Sequence, residues 1–466
     1  YVVHFYEEKC PLFFKVVHLL IQKKWSSFTR KMVQFYKKSG PLLSAKSGPL
    51  FYGKKVFGYR LRAPWQPRVG HQFDDARVRG PAPARLYRDP VATIAAYRMD
   101  EVQPALDRVA QASDAGLHAA GFISYEAGLA LEDRLAPIAA RSEGGGAPLL
   151  WFGLFEGMRR IPSTAVPGLL PDRAQAKIGT VRPLIAEADY RRAFEAVQGY
   201  IHAGDIYQVN LTFPCDVPFE GDPLALYAAV RPRAAAGYGG VVHTGSHNIL
   251  SFSPELFFSQ VRGQLTARPM KGTATRGVDP ASDAAQARWL EEDDKQRAEN
   301  LMIVDLLRND LSRVSQAGSV IVPDLFRVES YPTVHQLVST VRARVLPGLS
   351  PVDVLRVLFP CGSITGAPKM WAMEIIDAVE PHPRGVYTGA MGWIDPEGDA
   401  AFNVAIRTLC VEEGSNVGRL GLGSGIVADS QGYSEWAECL AKGRFLKDAP
   451  NAPDTGPRGR AGGGGP

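Results

Sequence analysis

At 466 residues, with 45% hydrophobic and 22% charged residues, the chain has the make-up of a globular protein with ample core material, which excludes a disordered or fibrous class. That length holds two or three average domains or one large one. The net charge of +5 is concentrated at one end: residues 1–60 carry ten lysines and two arginines against Glu7 and Glu8 alone, so the remainder is mildly acidic and argues against a nucleic-acid surface.

That opening segment begins with Tyr, and its apolar patches are interrupted by Lys15, His18, Lys23 and Lys24. None approaches the ~20 uninterrupted apolar residues of a membrane span, and no small-residue cleavage site follows a clean apolar run. We expect residues 1–65 to be a basic extension outside the fold, disordered or left by a mis-assigned start. The Pro/Gly-rich residues 447–466 read as a disordered tail. Five scattered cysteines, Cys10, Cys215, Cys361, Cys410 and Cys439, form no CxxC pair, which points to a reducing cytoplasm and away from structural zinc.

In chain order, "DEVQPALDRVAQASDAG" spaces its apolar residues as a helix with Gly116 as the stop. "HAAGFISYEAGLAL" and "APLLWFGLFEGM" read as buried strands, and "RIPSTAVPGLLPD" as a connection. "EADYRRAFEAVQGYIHAGD" predicts a helix with Ala188, Phe194, Val197 and Ile201 on its packed face and Gly204 at its end. "IYQVNLTFPCDV", "NILSFSPELFFSQV" and "GQLTARPM" read as strands. "DDKQRAENLMIVDLLRNDLSRVS" predicts the longest helix, packed through Leu301, Val304, Leu307, Leu311 and Val314.

Further on, "SPVDVLRVLFP" and "APKMWAMEIIDAVE" read as helices, the second with Pro368 in its first turn. "GVYTGAMGWID", "AAFNVAIRTLCVE" and "GRLGLGSGIVAD" read as strands, and "GYSEWAECLAKGRFL" as a last helix. Strands outnumber the crossover helices of a doubly wound sheet, so the expected class is α+β with large antiparallel sheets.

Two glycine-rich stretches fail as nucleotide loops. In "GSITGAPK", Ala367 and Pro368 separate the glycine from Lys369, and "GLGSGIVADS" has the wrong spacing for GxGxxG. Glu435, Glu438 and Lys442 can share one face of the last helix, and Glu299 lies near the start of the longest one; a solvated face and a helix dipole explain such residues equally well. His335 in "YPTVHQLVSTVRARV" fits a hydrogen-bonded packing role. From the residues alone, the reading reaches a soluble α+β enzyme with an anion site and a possible hard-metal site.

The ordered set "GDIYQVNLT", "SPELFF", "RPMKGTATRG", "AENLMIVDLLRNDL", "YPTVHQLVSTV", "LFPCGSITGAPK", "GVYTGAMGWID", "FNVAIRTL" and "GLGSGIVADS" with "EWAECLAKG" goes further. It resembles the chorismate-utilising enzymes, and within them the component I chains of the aminodeoxychorismate synthases, the para-aminobenzoate branch. "LYRDPVATIAA" and "GFISYEAGLALE" resemble the amino-terminal part of those chains. The resemblance implies two large antiparallel sheets packed as a sandwich with helices outside, an amino-terminal part (84–182) interwoven with the core, and a catalytic domain over 183–446.

The resemblance also implies the chemistry. Lys271, where anthranilate synthases have a small residue, would be the nucleophile that adds at carbon 2 of chorismate as the carbon-4 hydroxyl leaves. Glu255 would be the general acid. Glu299 and Glu438, with Glu435 close by, would bind Mg2+ against the ring carboxylate. Arg407, Tyr387, Lys442 and the Gly425 backbone N–H would hold the enolpyruvyl carboxylate, and Thr273 would hydrogen-bond the substrate. His335 matches a residue linked to pyruvate elimination in the anthranilate relatives. Gln208 stands where isochorismate and salicylate synthases have a water-activating lysine, which leaves ammonia as the nucleophile. Ammonia implies a separate glutamine amidotransferase subunit as partner. The competing readings are an anthranilate synthase component I, in which Lys271 would be incidental, and a non-catalytic chorismate-binding scaffold.

Overall fold

Apolar runs that read as single strands in the sequence are divided between two sheets, and the points of division carry the candidate site. The computed structural model describes residues 71–77, 81–140, 146–331 and 334–446. The predicted extension 1–65 and tail 447–466 lie outside the described residues. In chain order come β1 (His71–Asp74), β2 (Ala84–Tyr87), β3 (Ala92–Ala96), α1 (Met99–Asp114), β4 (His118–Ile123), β5 (Leu150–Phe155), β6 (Arg159–Ile161), β7 (Lys177–Ile178), β8 (Arg182–Pro183), α2 (Glu187–Ala203) and β9 (Gln208–Glu220). Next are α3 (Pro223–Ala234), β10 (Gly239–His243), β11 (His247–Ser251), β12 (Leu256–Val261), β13 (Gln264–Arg268), β14 (Met270–Thr275), α4 (Pro280–Glu292), α5 (Asp294–Ser312), β15 (Ile321–Ser330) and β16 (Val334–Arg344). The last are α6 (Pro351–Leu358), β17 (Gly366–Ala367), α7 (Lys369–Val379), β18 (Ala390–Ile394), β19 (Ala400–Val404), β20 (Thr408–Glu412), β21 (Val417–Ile426) and α8 (Gly432–Lys442).

The first sheet runs β17-β9-β21-β20-β11-β10-β1-β2-β6, with β7 and β8 also on β9; the second runs β14-β16-β13-β12-β19-β18-β4-β5-β3, with β15 on β16. Pairing is antiparallel throughout the described strands. The sheets face each other: Phe122, Trp151 and Met391 of the second pack with Val242 and Ile249 of the first. The expected α+β class with two large antiparallel sheets is therefore observed. Strands β1 to β6 sit in both sheets beside strands from beyond residue 239.

Helices cover the outside. On the first sheet, Trp436 of α8 lies 4.7 Å from the Phe213 ring of β9 and 5.2 Å from Tyr190 of α2. Removing so large an aromatic from such a cluster costs roughly 3–5 kcal/mol. No described helix is long and apolar enough to cross a membrane.

Several boundaries depart from the sequence expectation. The run after β4 leaves the sheet and coils into a 3-10 turn, Tyr125–Ala130. There the buried Glu126 carboxylate accepts the Arg384 and Gly385 amides, a pairing a strand could not supply. The predicted connection over 160–172 contains strand β6 and a 3-10 run, Ser163–Leu169. On α2, Ala188 is exposed and Tyr190 takes the core position, while Gly204 ends the helix at φ 82° as expected. On α5, Leu301 is 43% exposed; the packed face is Asn300, Ile303, Val304, Leu307, Asp310 and Leu311, two of them polar. Pro368 precedes α7 as its N-cap.

The two divided runs matter most. "NILSFSPELFFSQV" becomes β11 in the first sheet and β12 in the second, joined by Phe252–Glu255; "AAFNVAIRTLCVE" becomes β19 in the second and β20 in the first, joined by Ala405–Arg407. The two crossings stay paired: the Phe252 amide donates to Arg407 O at 3.0 Å and the Val404 amide to Glu255 O at 3.1 Å. Ser253 Oγ adds a 2.6 Å bond to Val404 O. A double-stranded ribbon thus bends from one sheet to the other, a corner of the kind that links sandwich layers.

Candidate active site

Lys271 owes its position to a bulge. On β14, Met270 pairs with Val338 and Thr273 with Gln336, so three steps on one strand oppose two on the other. Gly272 absorbs the extra residue at φ 96°, a conformation that favours glycine, and a side chain there would also press on Gln296 and Leu337. The buried Asn300 amide on α5 donates to both Lys271 O and Leu337 O, at 3.3 and 3.2 Å, and its oxygen accepts from Ser339. The bulge is therefore bolted to α5 by one side chain.

From that bulge the lysine reaches across to the first sheet. A Cβ on Gly425 of β21 would lie 2.5 Å from Lys271 Nζ and 3.0 Å from Gln208 Nε2, so the amine occupies space that only a glycine leaves open. Gln208 is fully buried, and both its amide atoms lack a partner among the described residues. Burial lowers the Lys271 pKa from its ordinary value; Glu299 opposes this, the Lys442 charge adds to it, and Glu438 and Glu255 oppose it. The neighbouring positive charge is Lys442; the two arginines nearest to Lys271 in sequence are engaged elsewhere, Arg268 with Glu329 and Arg276 with Asp283.

Glu255 sits on the ribbon corner and is 4% exposed. Burial pushes its carboxyl up to about 7, with the Ser363 hydroxyl, the Lys271 charge and the Met270 amide pulling down. Ser363 Oγ donates to Glu255 Oε1 at 2.7 Å. A carboxylic acid and an amine, each shifted toward its neutral form, thus lie beside one another, which suits proton donation and nucleophilic attack near neutral pH.

The acids predicted as metal ligands come from two helices. Glu299 of α5 is raised by burial, against Lys271 and Lys295, with Glu435 and Glu438 raising it further. Glu435 accepts from Ser430 Oγ at 2.7 Å. Glu438 pairs with Lys442 at 2.8 Å; desolvation alone would raise its carboxyl, but Lys442 and then Lys271 and Lys295 hold it below the usual value. Among the described residues no three His, Cys, Asp or Glu side chains converge as a ready metal cage. Mutually repelling carboxylates of this kind fit a hard cation that takes one or two carboxylates together with waters and a substrate oxygen.

The predicted anion-holding residues are placed as follows. Arg407, at φ 49° on the other strand of the corner, has its guanidinium pKa lowered by burial and only Tyr331 to support it. Its side chain makes no hydrogen bond or ion pair among the described residues, so an anion would complete it. The Tyr387 ring lies directly against Gly421 of β21. Lys442 Nζ is shared between Glu438 and Gly423 O, the latter at 2.9 Å. Thr273 is exposed and its Oγ1 accepts from Gln336 at 3.0 Å.

His335 stands apart from this group. It follows the alternation of β16 onto the face opposite Gln336 and Thr273. There Ser330 Oγ meets its Nδ1 at 2.8 Å and Asp283 its Nε2 at 3.0 Å, so both ring nitrogens are engaged. Lys271, Glu255, Glu299, Glu438, Lys442 and Gly425 are therefore brought together, while His335 is not. Asn300 and Ser363 also serve this group, and their only signals in the sequence are a polar residue inside an apolar helix face and a serine inside a glycine-rich turn.

Comparison with known proteins agrees with this architecture. The family model for chorismate binding enzyme matches residues 72–448. The chain is 42% identical over 261 residues to aminodeoxychorismate synthase component 1 of Klebsiella aerogenes, covering 56% of this chain and 57% of that one. It is 38% identical over 293 residues to anthranilate synthase component 1 of Pseudomonas aeruginosa, covering 63% and 59%. The matches thus span little more than half the length of these curated relatives. The fold resembles the crystal structure of anthranilate synthase component I from Streptococcus pneumoniae, with a TM-score of 0.66 at 24% identity over 85% of this chain and 95% of that one.

Proposed function

We propose that this chain, which belongs to the chorismate binding enzyme family, converts chorismate and ammonia to 4-amino-4-deoxychorismate. The observation that carries the proposal is the Lys271 amine, lowered in pKa and seated against Gly425 with the protonatable Glu255 beside it. Lys271 Nζ adds at carbon 2 of the ring while the carbon-4 C–O bond breaks. The departing hydroxyl takes the Glu255 proton and leaves as water, and the two conjugated ring double bonds, C1=C2 and C5=C6, move to C6=C1 and C4=C5. Ammonia then adds at carbon 4 and expels the lysine from carbon 2, which returns both double bonds to C1=C2 and C5=C6. The carboxylate of Glu255 takes back the surplus proton. Lys271 thereby directs the amine to carbon 4.

Arg407 and the Gly425 N–H, with Tyr387 and Lys442, hold the enolpyruvyl carboxylate, and Thr273 bonds the substrate. Glu299 and Glu438, with Glu435 near them, would hold Mg2+. Held there, such a cation would supply charge neutralisation to the ring carboxylate. The ammonia comes from a separate glutamine amidotransferase subunit. His335, held by Ser330 and Asp283, supports the strand that carries the site.

The test is product analysis with chorismate, magnesium and ammonium, for the native chain and Lys271→Ala, with an arm lacking magnesium. The expected result is 4-amino-4-deoxychorismate from the native chain, and its loss or a switch to anthranilate in the variant. Anthranilate from the native chain would move the assignment to the anthranilate synthases, and no turnover with magnesium and ammonium present would favour a binding scaffold.

A further inference from the structure

Proton donation by Glu255 requires its carboxyl to hold one orientation. Two other buried polar groups lie next to it and have no role so far. Ser363, 4% exposed, donates its hydroxyl to Glu255 Oε1 at 2.7 Å, and Cys361, 3% exposed, places Sγ 3.2 Å from Ser363 Oγ. All three belong to one chain of contacts running inward from the site.

We propose that Ser363 is a positioning residue for Glu255: held as an acceptor by the Cys361 thiol, it donates to Oε1 and so keeps the reactive proton on Oε2. The inference rests on the reading of Glu255 as the general acid. A serine hydroxyl can donate or accept, so something must choose its direction. Burial pushes the Cys361 thiol up to about 12, so it stays S–H and is available as a donor. With the thiol donating to Ser363 Oγ, the hydroxyl hydrogen is left for Glu255. The other groups that face the carboxyl are Lys271 and the Met270 amide from β14.

The turn that presents Ser363 is fixed on both sides. Thr365 Oγ1 donates to Cys361 O at 3.1 Å, and Arg384 Nη1 to Ile364 O at 2.9 Å. Downstream, buried Lys369 pairs with Asp310 at 2.6 Å and donates to Leu358 O at 3.0 Å. A serine placed so firmly holds a carboxyl to one rotamer, which a freely rotating acid on a strand junction would not keep.

The experiment is the pH profile of kcat and kcat/KM with chorismate and ammonium for the native chain, Glu255→Gln, Ser363→Ala and Ser363→Thr, each checked by thermal melting. Ser363 stabilises the ionised carboxylate, so its removal lets Glu255 keep its proton to higher pH. In Ser363→Ala the alkaline limb moves up by about 0.5–1 pH unit, and plateau kcat falls about tenfold with KM for chorismate nearly unchanged. Ser363→Thr restores both. If Ser363→Ala does not fold, Ser363→Cys, a weaker donor of similar volume, shows the same upward movement at smaller amplitude. An unmoved limb in a folded Ser363→Ala or Ser363→Cys, with Glu255→Gln inactive, overturns the positioning role alone. Wild-type turnover in Glu255→Gln overturns the acid reading beneath it.

Discussion

Replacing Gly425 by alanine tests whether the seat of the lysine amine is the reactive one. The new Cβ would stand 2.5 Å from Lys271 Nζ, whereas ordinary contact between such atoms is about 3.5 Å. The amine must therefore withdraw by roughly 1 Å. Because it is the tip of a flexible side chain, the adjustment leaves the fold intact, and stability changes by no more than about 0.5 kcal/mol. The Gly425 N–H survives the substitution, so substrate anchoring and KM are preserved. A misplacement of about 1 Å at the reacting atom costs on the order of a hundredfold in rate, or about 2.7 kcal/mol of barrier. Steady-state kinetics with chorismate and ammonium, paired with thermal melts, read the outcome directly. A kcat within two- or threefold of the native value, at unchanged melting temperature, would refute the placement of the nucleophile against Gly425.

Two further predictions concern stability. The Glu255 carboxyl titrates at about 7 in the fold against an ordinary 4.5, so its favourable contribution is complete below the lower value and is lost as pH rises through the upper one. The loss amounts to about 3 kcal/mol above pH 7. Glu255→Gln, which cannot ionise, is therefore expected to melt higher than the native chain at pH 8, with the gap narrowing toward pH 5; equal melting temperatures at pH 8 would contradict this. Asn300→Ala removes donors from two buried carbonyls and an acceptor from Ser339, which should cost about 2–4 kcal/mol in urea unfolding and lower kcat as the Lys271 bulge loosens. Unchanged kcat in a folded Asn300→Ala would show that the bulge holds itself.

What the sequence reveals depends on whether the deciding interaction is local. The α2 helix, its Gly204 stop and the inward stripe of Phe194, Val197 and Ile201 are local, and they are legible; the first position of that stripe is not, because Ala188 and Tyr190 both fit until the Trp436 and Phe213 rings are in place. On α5 the apolar rhythm finds the packed face at Val304, Leu307 and Leu311, with Val314 just beyond the helix, and fails only at its start, where Asn300 rather than Leu301 turns inward to bond distant partners. Lys271 stands out in a lysine-poor region, and Gly272 beside it marks the bulge. Ser363, by contrast, meets Glu255 at a sequence separation of 108, and no pattern of spacing records that meeting. Pro254 in the first crossing was a local sign that the long apolar run could not be one central strand.

The ribbon corner carries a consequence for how this gene can vary in length. Phe252–Glu255 joins a strand whose faces are set in one sheet to a strand whose faces are set in the other, and Ala405–Arg407 does the same in reverse. Side chains alternate along a strand, so inserting or deleting one residue in either crossing would turn one strand over and exchange its buried row for its exposed one. The same slip would swing the Glu255 carboxyl or the Arg407 guanidinium away from the site. Single-codon insertions and deletions are therefore excluded along these crossings, whereas the hairpin tips at Gly245, Gly398 and Gly414 link strands within one sheet and are free to lengthen.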